Sequence, residues 1–415
     1  MTSVDQPERF RAPQPQATGT ELFNPSRLRL VARCWIVVAA IGYVINLLGR
    51  TRVDLTDGIR SPFGDDFINY WSGAYLALHG RAAEVYDFVA FHDFETSVVG
   101  PHIDFYHYSY PPVLLLLTAP LALVPYVPAL FAWLAATWYG FYRALKLAAA
   151  DNALLLSLAA PAMFINAIGG QNGALTAAVM GGGLLLVDRR PTIAGILFGL
   201  LVYKPHLALM LPVAMIAGRR WRVVIAAGVT AVLLIAASVV VFGPAVWAEY
   251  QHNVSVLRTV ILEDGAGVWH RMVSVFVSVR RLGGGVALSY AVQGLFALAT
   301  ALVVGWSWLR NDPVHIRNAL VVVGTCLATP YLQDYDLVIG AFAVVWLKNA
   351  QPHSQVAAHW FDAGAAMVLL LPIVAASLAK WSGLAFGPLF FIPPFILLGA
   401  LAMEQRRAYS SSVAR

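Results

Sequence analysis

The stretch "WRVVIAAGVTAVLLIAASVVVF" (221–242) carries one charge, Arg222, in 22 residues. A run of this kind is long enough to cross the ~30 Å hydrocarbon layer of a bilayer as a helix. A soluble helix would interrupt it with a polar face every three or four residues. The rest of the chain follows suit: 59% of its 415 residues are hydrophobic, 12% are charged, and its mean hydropathy is +0.68. Soluble domains carry about 25% charge. These observations predict an all-α polytopic membrane protein.

Further apolar spans are expected at about 28–49, 126–146, 152–168, 172–187, 191–203, 205–217, 286–309, 317–329, 332–347, 357–378 and 384–402, about twelve transmembrane helices in all. Basic residues mark cytoplasmic loops. Arg27, Arg29 and Arg33 precede the first span, so both termini are expected in the cytoplasm, together with "DRRP" (188–191), "GRRWR" (218–222), Arg310, Arg317, Lys348 and "EQRR" (404–407). This bookkeeping works if 112–146 crosses once, with 112–125 an interfacial or re-entrant piece or the Pro-kinked start of one long helix. Residues 1–25 read as a disordered cytoplasmic tail, 26–404 as one transmembrane domain, and 405–415 as a C-terminal cytoplasmic tail. The net charge of +6 sits in short clusters between spans, which argues against nucleic acid as a partner. Cys34 and Cys326 lie in apolar segments and imply no disulfide framework.

The expected external segments are a long first loop, 50–111, the "GGQN" turn (169–172), the "YKPH" turn (203–206), a second loop, 243–285, the "TPYLQD" turn (329–334), and 379–383. Loop 50–111 holds nine of the 22 acidic residues and four of the ten histidines. Chemistry therefore belongs on the face away from the arginine clusters.

In "DDFINYW" (65–71) a helix would align Asp66, Asn69, Tyr70 and Gly73 on one face, with Asp65 about 100° away. A partly desolvated carboxylate at a membrane boundary has a raised proton affinity and suits general-base work. Capping of the following helix competes with that role and suits Asp65 better. Gln171 and Asn172 offer paired donors and acceptors for a hydroxylated ligand, or a solvated turn in which Asn172 caps the next helix. Lys204, beside His206, sits opposite the arginine clusters and calls for an anionic partner, with snorkelling as the alternative. Asp334 and Asp336 form an Asp-x-Asp pattern. Asp334 suits a helix cap, and Asp336, a turn deeper in a span, suits function. Arg258, His270 and Arg271 stand among aromatics in 243–285, fit for sugar and phosphate contact or for an interfacial belt. No dinucleotide-binding, P-loop, metalloprotease, Cys-x-x-Cys or nucleophile-elbow motif occurs. No cofactor is expected, and a divalent metal has no support beyond the Asp-x-Asp pattern.

The runs "DFINYW" (66–71), "YDF" (86–88), "YPPVLLLLTAPLALVPY" (110–126), "GQNGAL" (170–175), "LLVYKPHLALMLP" (200–212), "GRRWR" and "TPYLQDYDL" (329–337), in this order over roughly 30–350, resemble glycosyltransferase family 87, membrane enzymes of the GT-C fold. Better-known members are mannosyltransferases of actinobacterial glycolipid assembly. The resemblance implies a polyprenyl-phosphate-linked sugar donor, mannose in the family's better-known members, a lipid or glycan acceptor, and chemistry on the outer face of the cell membrane. It carries the catalytic Asp of the first external loop to Asp66, the basic residue of the "KP" turn to Lys204, and the Gln of the "GQ" turn to Gln171. Tyr110 joins Asn69, Tyr70, Asn172, His206 and the later Arg, His and Asp residues as an expected substrate contact. Mycobacterial members resemble one another in having histidines where this chain has "DYD" (334–336), which leaves the sugar open. A transporter or flippase of a lipid-linked sugar is the rival reading. It would favour internal repeats and a midplane site, and no repeat is visible here.

Overall fold

A computed structural model describes residues 25–350 and 355–413. Residues 1–24, most of the expected N-terminal tail, lie outside the described residues. The described chain is all-helical: 79% is helix and there is no strand. In order, the α-helices are α1 (Pro25–Gly49), α2 (Phe67–Leu78), α3 (Phe88–Val99), α4 (Pro112–Thr118), α5 (Tyr126–Ala148), α6 (Ala153–Ala159), α7 (Pro161–Ile168), α8 (Gly173–Leu186), α9 (Pro191–Leu200), α10 (Met210–Ala217), α11 (Trp221–Phe242), α12 (Pro244–Leu257), α13 (Val275–Arg281), α14 (Val286–Leu309), α15 (Val314–Ala328), α16 (Gly340–Asn349), α17 (Gln355–Ser382) and α18 (Gly387–Val413).

Five of these are long and apolar enough to cross a membrane: α1, α11, α14, α17 and α18. Helices α1, α11 and α14 leave most of their apolar side chains uncovered, Val240 and Leu302 among them. Uncovered apolar faces on helices of this length suit contact with hydrocarbon. The interior is built differently. Helix α15 is buried along nearly its whole length from Ile316 to Ala328, and α8 is buried on most sides. A helix apolar all round belongs in a core.

Several expected spans are broken. The segment 152–168 divides between α6 and α7, because Pro161 lacks the N–H that would continue the first helix. The segment 332–347 starts as a 3-10 turn, Asp334–Ile339, before α16. The stretch 112–125 is separate from α5. It is α4 and a 3-10 turn, Ala119–Leu123, halted before Pro125 and tied to α2 by Trp71 Nε1, which donates to Val124 O at 2.9 Å. The segment read as a C-terminal tail, 405–415, continues α18 as far as Val413.

The path of 191–222 fixes the two ends of the molecule. A Cβ on Gly195 would meet Ala226 and Val223, and one on Gly199 would meet Thr230 and Ala227, so α9 and α11 run parallel in close contact. Helix α10 must therefore return between them, which puts Lys204 at one end and Arg219 at the other. At the latter end Asp188 pairs with Arg220 at 2.8 Å and with Arg317. The 14 residues of α8, about 21 Å long, separate this cluster from the polar residues around Asn172. The two loops expected to be long, 50–111 and 243–285, are folded over that second end by α2, α3, α12 and α13.

Candidate active site

A cavity of about 890 Å³ opens at the Lys204 end, lined by both folded loops and by the turns at 171, 203–206 and 331–335. Asp66 lies at its wall, at the N-cap position of α2, with φ −63° and no capping bond from its side chain. Its carboxylate instead accepts a short hydrogen bond from Gln171 Nε2. Asp65 does not cap α2 either, contrary to the expectation from sequence. Its φ of +50° turns the side chain away, where Oδ1 accepts from Tyr106 Oη at 2.5 Å and Oδ2 lies 3.9 Å from Arg50.

Gln171 is used at both ends. Tyr70 Oη donates to its Oε1 at 2.7 Å, which fixes the amide so that Nε2 points at Asp66, and Tyr70 Oη also lies 2.9 Å from Tyr110 Oη. Gln171 thus supports Asp66 with one of its amide hydrogens while it lines the cavity. The glycines beside it let the turn reach this place. Gly170 has φ +58°, and a Cβ there would stand 2.5 Å from Phe67 Cβ, while one on Gly173 would stand 2.1 Å from Tyr335 O. Trp133 Nε1 donates to Gly170 O at 3.1 Å and holds the turn in the wedge between α2 and the "DYD" run.

Lys204 is buried, with 1% of its side chain exposed, and donates to Asp336 Oδ1 at 2.5 Å and to Asn172 Oδ1 at 2.9 Å. Its ammonium stands 4.6 Å from the Tyr335 ring centroid. Asn172 therefore serves Lys204, and its side chain makes no bond capping α8. The other oxygen of Asp336 accepts from Gln333 N at 3.2 Å.

Arg271 comes from a loop turned by Gly265 and Gly267, at φ +91° and +79°. Its Nε and Nη2 lie 3.2–3.3 Å from Asp334, and its Nη1 lies 3.7 Å from Asp66 Oδ2. Burial opposes its charge, but Asp334 and Asp66 outweigh that and hold its pKa above the usual arginine value. For Asp66, burial first and the neighbouring Asp65 second push the pKa up to about 7, against the pull of Arg271 and Gln171. A carboxyl group with that value can take a proton near neutral pH.

Of the thirteen residues expected at the site, ten line the cavity: Asp66, Asn69, Tyr70, Tyr110, Gln171, Lys204, His206, Arg258, His270 and Arg271. Asn172, Asp334 and Asp336 stand behind them as partners of the two cations. Arg258 reaches the rim, 62% exposed and 3.4 Å from Glu263. His206 is half-buried edge-on to Tyr331, the ring centroids 5.5 Å apart, and its buried Nε2 has no hydrogen-bond partner among the described residues. His270 Nδ1 lies 2.8 Å from Gly267 O. Sequence reasoning missed Arg50 and Tyr106, which set the conformation of Asp65. It also missed Glu95, fully buried on the Phe91–Val99 face of α3, whose two oxygens lack hydrogen-bond partners and whose pKa burial pushes well up. The aromatic run "FYHY" (105–108) was the one available signal for Tyr106. Among the described residues no group of three His, Cys, Asp or Glu side chains is arranged to hold a metal ion.

The family model described as glycosyltransferase family 87 matches residues 108–330, a region that contains Tyr110, Gln171, Lys204 and Arg271. No curated protein and no solved structure matches the chain.

Proposed function

The chain belongs to glycosyltransferase family 87, a family of membrane glycosyltransferases, and from that premise we propose that it moves a sugar from a polyprenyl-phosphate-linked donor to a lipid or glycan acceptor, with Asp66 as the base. The observation that carries this reading is one carboxylate at a cavity wall, oriented by Gln171 and set 3.7 Å from an arginine that is not hydrogen-bonded to it.

In this mechanism an acceptor hydroxyl attacks the anomeric carbon. Its proton passes to Asp66, the bond from that carbon to the phosphate oxygen breaks, and polyprenyl phosphate leaves. A single displacement inverts the anomeric centre. Arg271 offsets the charge that grows on the leaving phosphate. Lys204 acts at longer range, because its hydrogen bonds go to Asp336 and Asn172. Leu257, Ile261 and Val268 form an apolar part of the cavity lining suited to the first isoprene units of the donor. The cavity end opposite the arginine clusters fits the outer face of the cell membrane, by the bias of basic residues toward the cytoplasm.

The test supplies purified protein with polyprenyl-phosphate-mannose and, separately, with GDP-mannose or UDP-mannose free of polyprenol phosphate. Transfer is expected from the lipid-linked donor alone, and Asp66→Asn is expected to slow it about 10²–10⁴-fold. Transfer from the nucleotide sugar, or a normal rate in Asp66→Asn, would contradict the proposal.

A further inference from the structure

A guanidinium carries five N–H donors on a rigid plane. In Arg271, Asp334 takes the edge formed by Nε and Nη2, at 3.2 and 3.3 Å. The other edge, formed by Nη1 and the second hydrogen of Nη2, is not taken by Asp66, since 3.7 Å is beyond hydrogen-bond distance. Arg271 lines the cavity, and a bidentate edge of this kind matches the oxygens of a phosphate. Lys204 offers no such surface, being buried and bonded to Asp336 and Asn172.

We propose that Asp334 is a positioning residue: by occupying one edge of Arg271 it aims the other at the cavity, so that Asp66 and the donor's phosphate draw on one guanidinium in turn. The proposal rests on the reading of this cavity as a glycosyl-transfer site. Before the donor binds, Arg271 holds part of the Asp66 charge. A phosphate that docks on the free edge takes that charge over and adds a negative charge beside the base. Both changes increase the proton affinity of Asp66 at the stage where it must accept a proton. The donor thereby arms the base, and donor binding precedes productive acceptor binding.

The consequence is readable in kinetics. The groups that act electrostatically on Asp66 are Asp65 (with Arg50 behind it), Arg271, Gln171, Asp334, Lys204, the hydroxyls of Tyr70, Tyr106 and Tyr331 and, from α3, Glu95. The donor's phosphodiester has no titration in the neutral range. The inflection in kcat/KM for the acceptor at saturating donor, which reports the donor complex, is therefore expected at higher pH than the inflection in kcat/KM for the donor, which reports the free enzyme. In Asp334→Asn the aim of Arg271 is lost. Donor KM is expected to rise roughly ten- to hundredfold, the range for a hydrogen bond to a charged group, and the gap between the two inflections to close. Asp334→Glu is expected to restore part of both.

A second measurement does not depend on turnover or on one variant folding. Binding of farnesyl phosphate by calorimetry to the full-length protein is expected to weaken in both Arg271→Gln and Asp334→Asn. Unchanged donor KM and unchanged inflections in Asp334→Asn, or farnesyl phosphate bound equally by wild type and both variants, would overturn the proposal. Binding that depends on Arg271 and Asp334 without sugar transfer from any lipid-linked donor would leave the phosphate site standing and remove the glycosyl-transfer reading. Sugar transfer with an indifferent Asp334 would do the reverse.

Discussion

The "DYD" run places two aspartates two residues apart, and each holds a cation in a different way. Asp336 and Lys204 meet at 2.5 Å with 0% and 1% of their side chains exposed, and Asn172 completes the set. Asp334 and Arg271 meet at 3.2 Å with 5% and 25% exposed, and Arg271 keeps one edge toward the cavity and Asp66. A buried pair, with Lys204 bonded to both Asp336 and Asn172, binds the "YKPH" turn, the "GGQN" turn and the "DYD" run into one frame. A pair that is half open to the cavity has a donor left over for a ligand. The difference lies in the donors left over: the lysine that stands out in the sequence has its hydrogen bonds directed to Asp336 and Asn172, while a less conspicuous loop arginine keeps one edge toward the cavity.

Breaking the closed pair has the largest expected effect on stability. Lys204→Met leaves Asp336 buried without a counter-charge, which costs about 3–5 kcal/mol. The measurement is the midpoint of thermal unfolding in detergent, and Lys204→Met/Asp336→Asn is expected to recover much of the loss. A Lys204→Met protein as stable as wild type would mean that the pair is not a strut.

Gln171→Leu tests the link between the two pairs and the base. Tyr70 keeps Tyr110 as a partner, whereas the Asp66 carboxylate loses its one hydrogen bond among the described residues. Transfer at pH 7 is expected to fall about tenfold, with the pH inflection moved upward because Gln171 favours the charged form. An unmoved inflection would show that Gln171 does not act on Asp66.

The smallest effect concerns stability and has a definite sign. The pKa of Asp66 in the folded protein, about 7, lies above the usual carboxylate value. The stabilisation associated with its neutral form is thus fully present below the unfolded pKa and is lost as the pH rises through about 7. Asp66→Asn, which removes that loss, is expected to unfold at a higher temperature than wild type at pH 8 and at a similar one at pH 4. The reverse order at pH 8 would indicate that the site favours the charged carboxylate.

Much of this arrangement was legible in the sequence, for one physical reason. Basic clusters alternate with polar turns along the apolar chain, so Arg220 and Arg317 could be assigned to one end and Gln171, Lys204 and Asp336 to the other. The contacts of Asp188 with Arg220 and Arg317, and of Lys204 with Asp336, follow that grouping. The all-helical, membrane-type character followed from the long apolar runs, and five helices are long and apolar enough to cross, against the twelve expected. What could not be read was which side chains meet within an end. Asp65 and Asp66 are adjacent and chemically identical. They are separated by a left-handed φ at Asp65, by Tyr106 forty-one positions on and by Gln171 on another turn. Hydropathy likewise read 152–168 and 332–347 as unbroken spans, because the 3-10 turn at Asp334–Ile339 and the break at Pro161 leave the apolar composition unchanged.

The most direct test of Asp66 as the base is the pH dependence of kcat/KM for sugar transfer in wild type and in Asp66→Asn. Only the ionised carboxylate accepts a proton, so wild-type kcat/KM is expected to fall about tenfold per pH unit below about 7 and to level off above it. The residual activity of Asp66→Asn is expected to lack that inflection. A flat wild-type profile, or the same inflection in Asp66→Asn, would contradict the assignment.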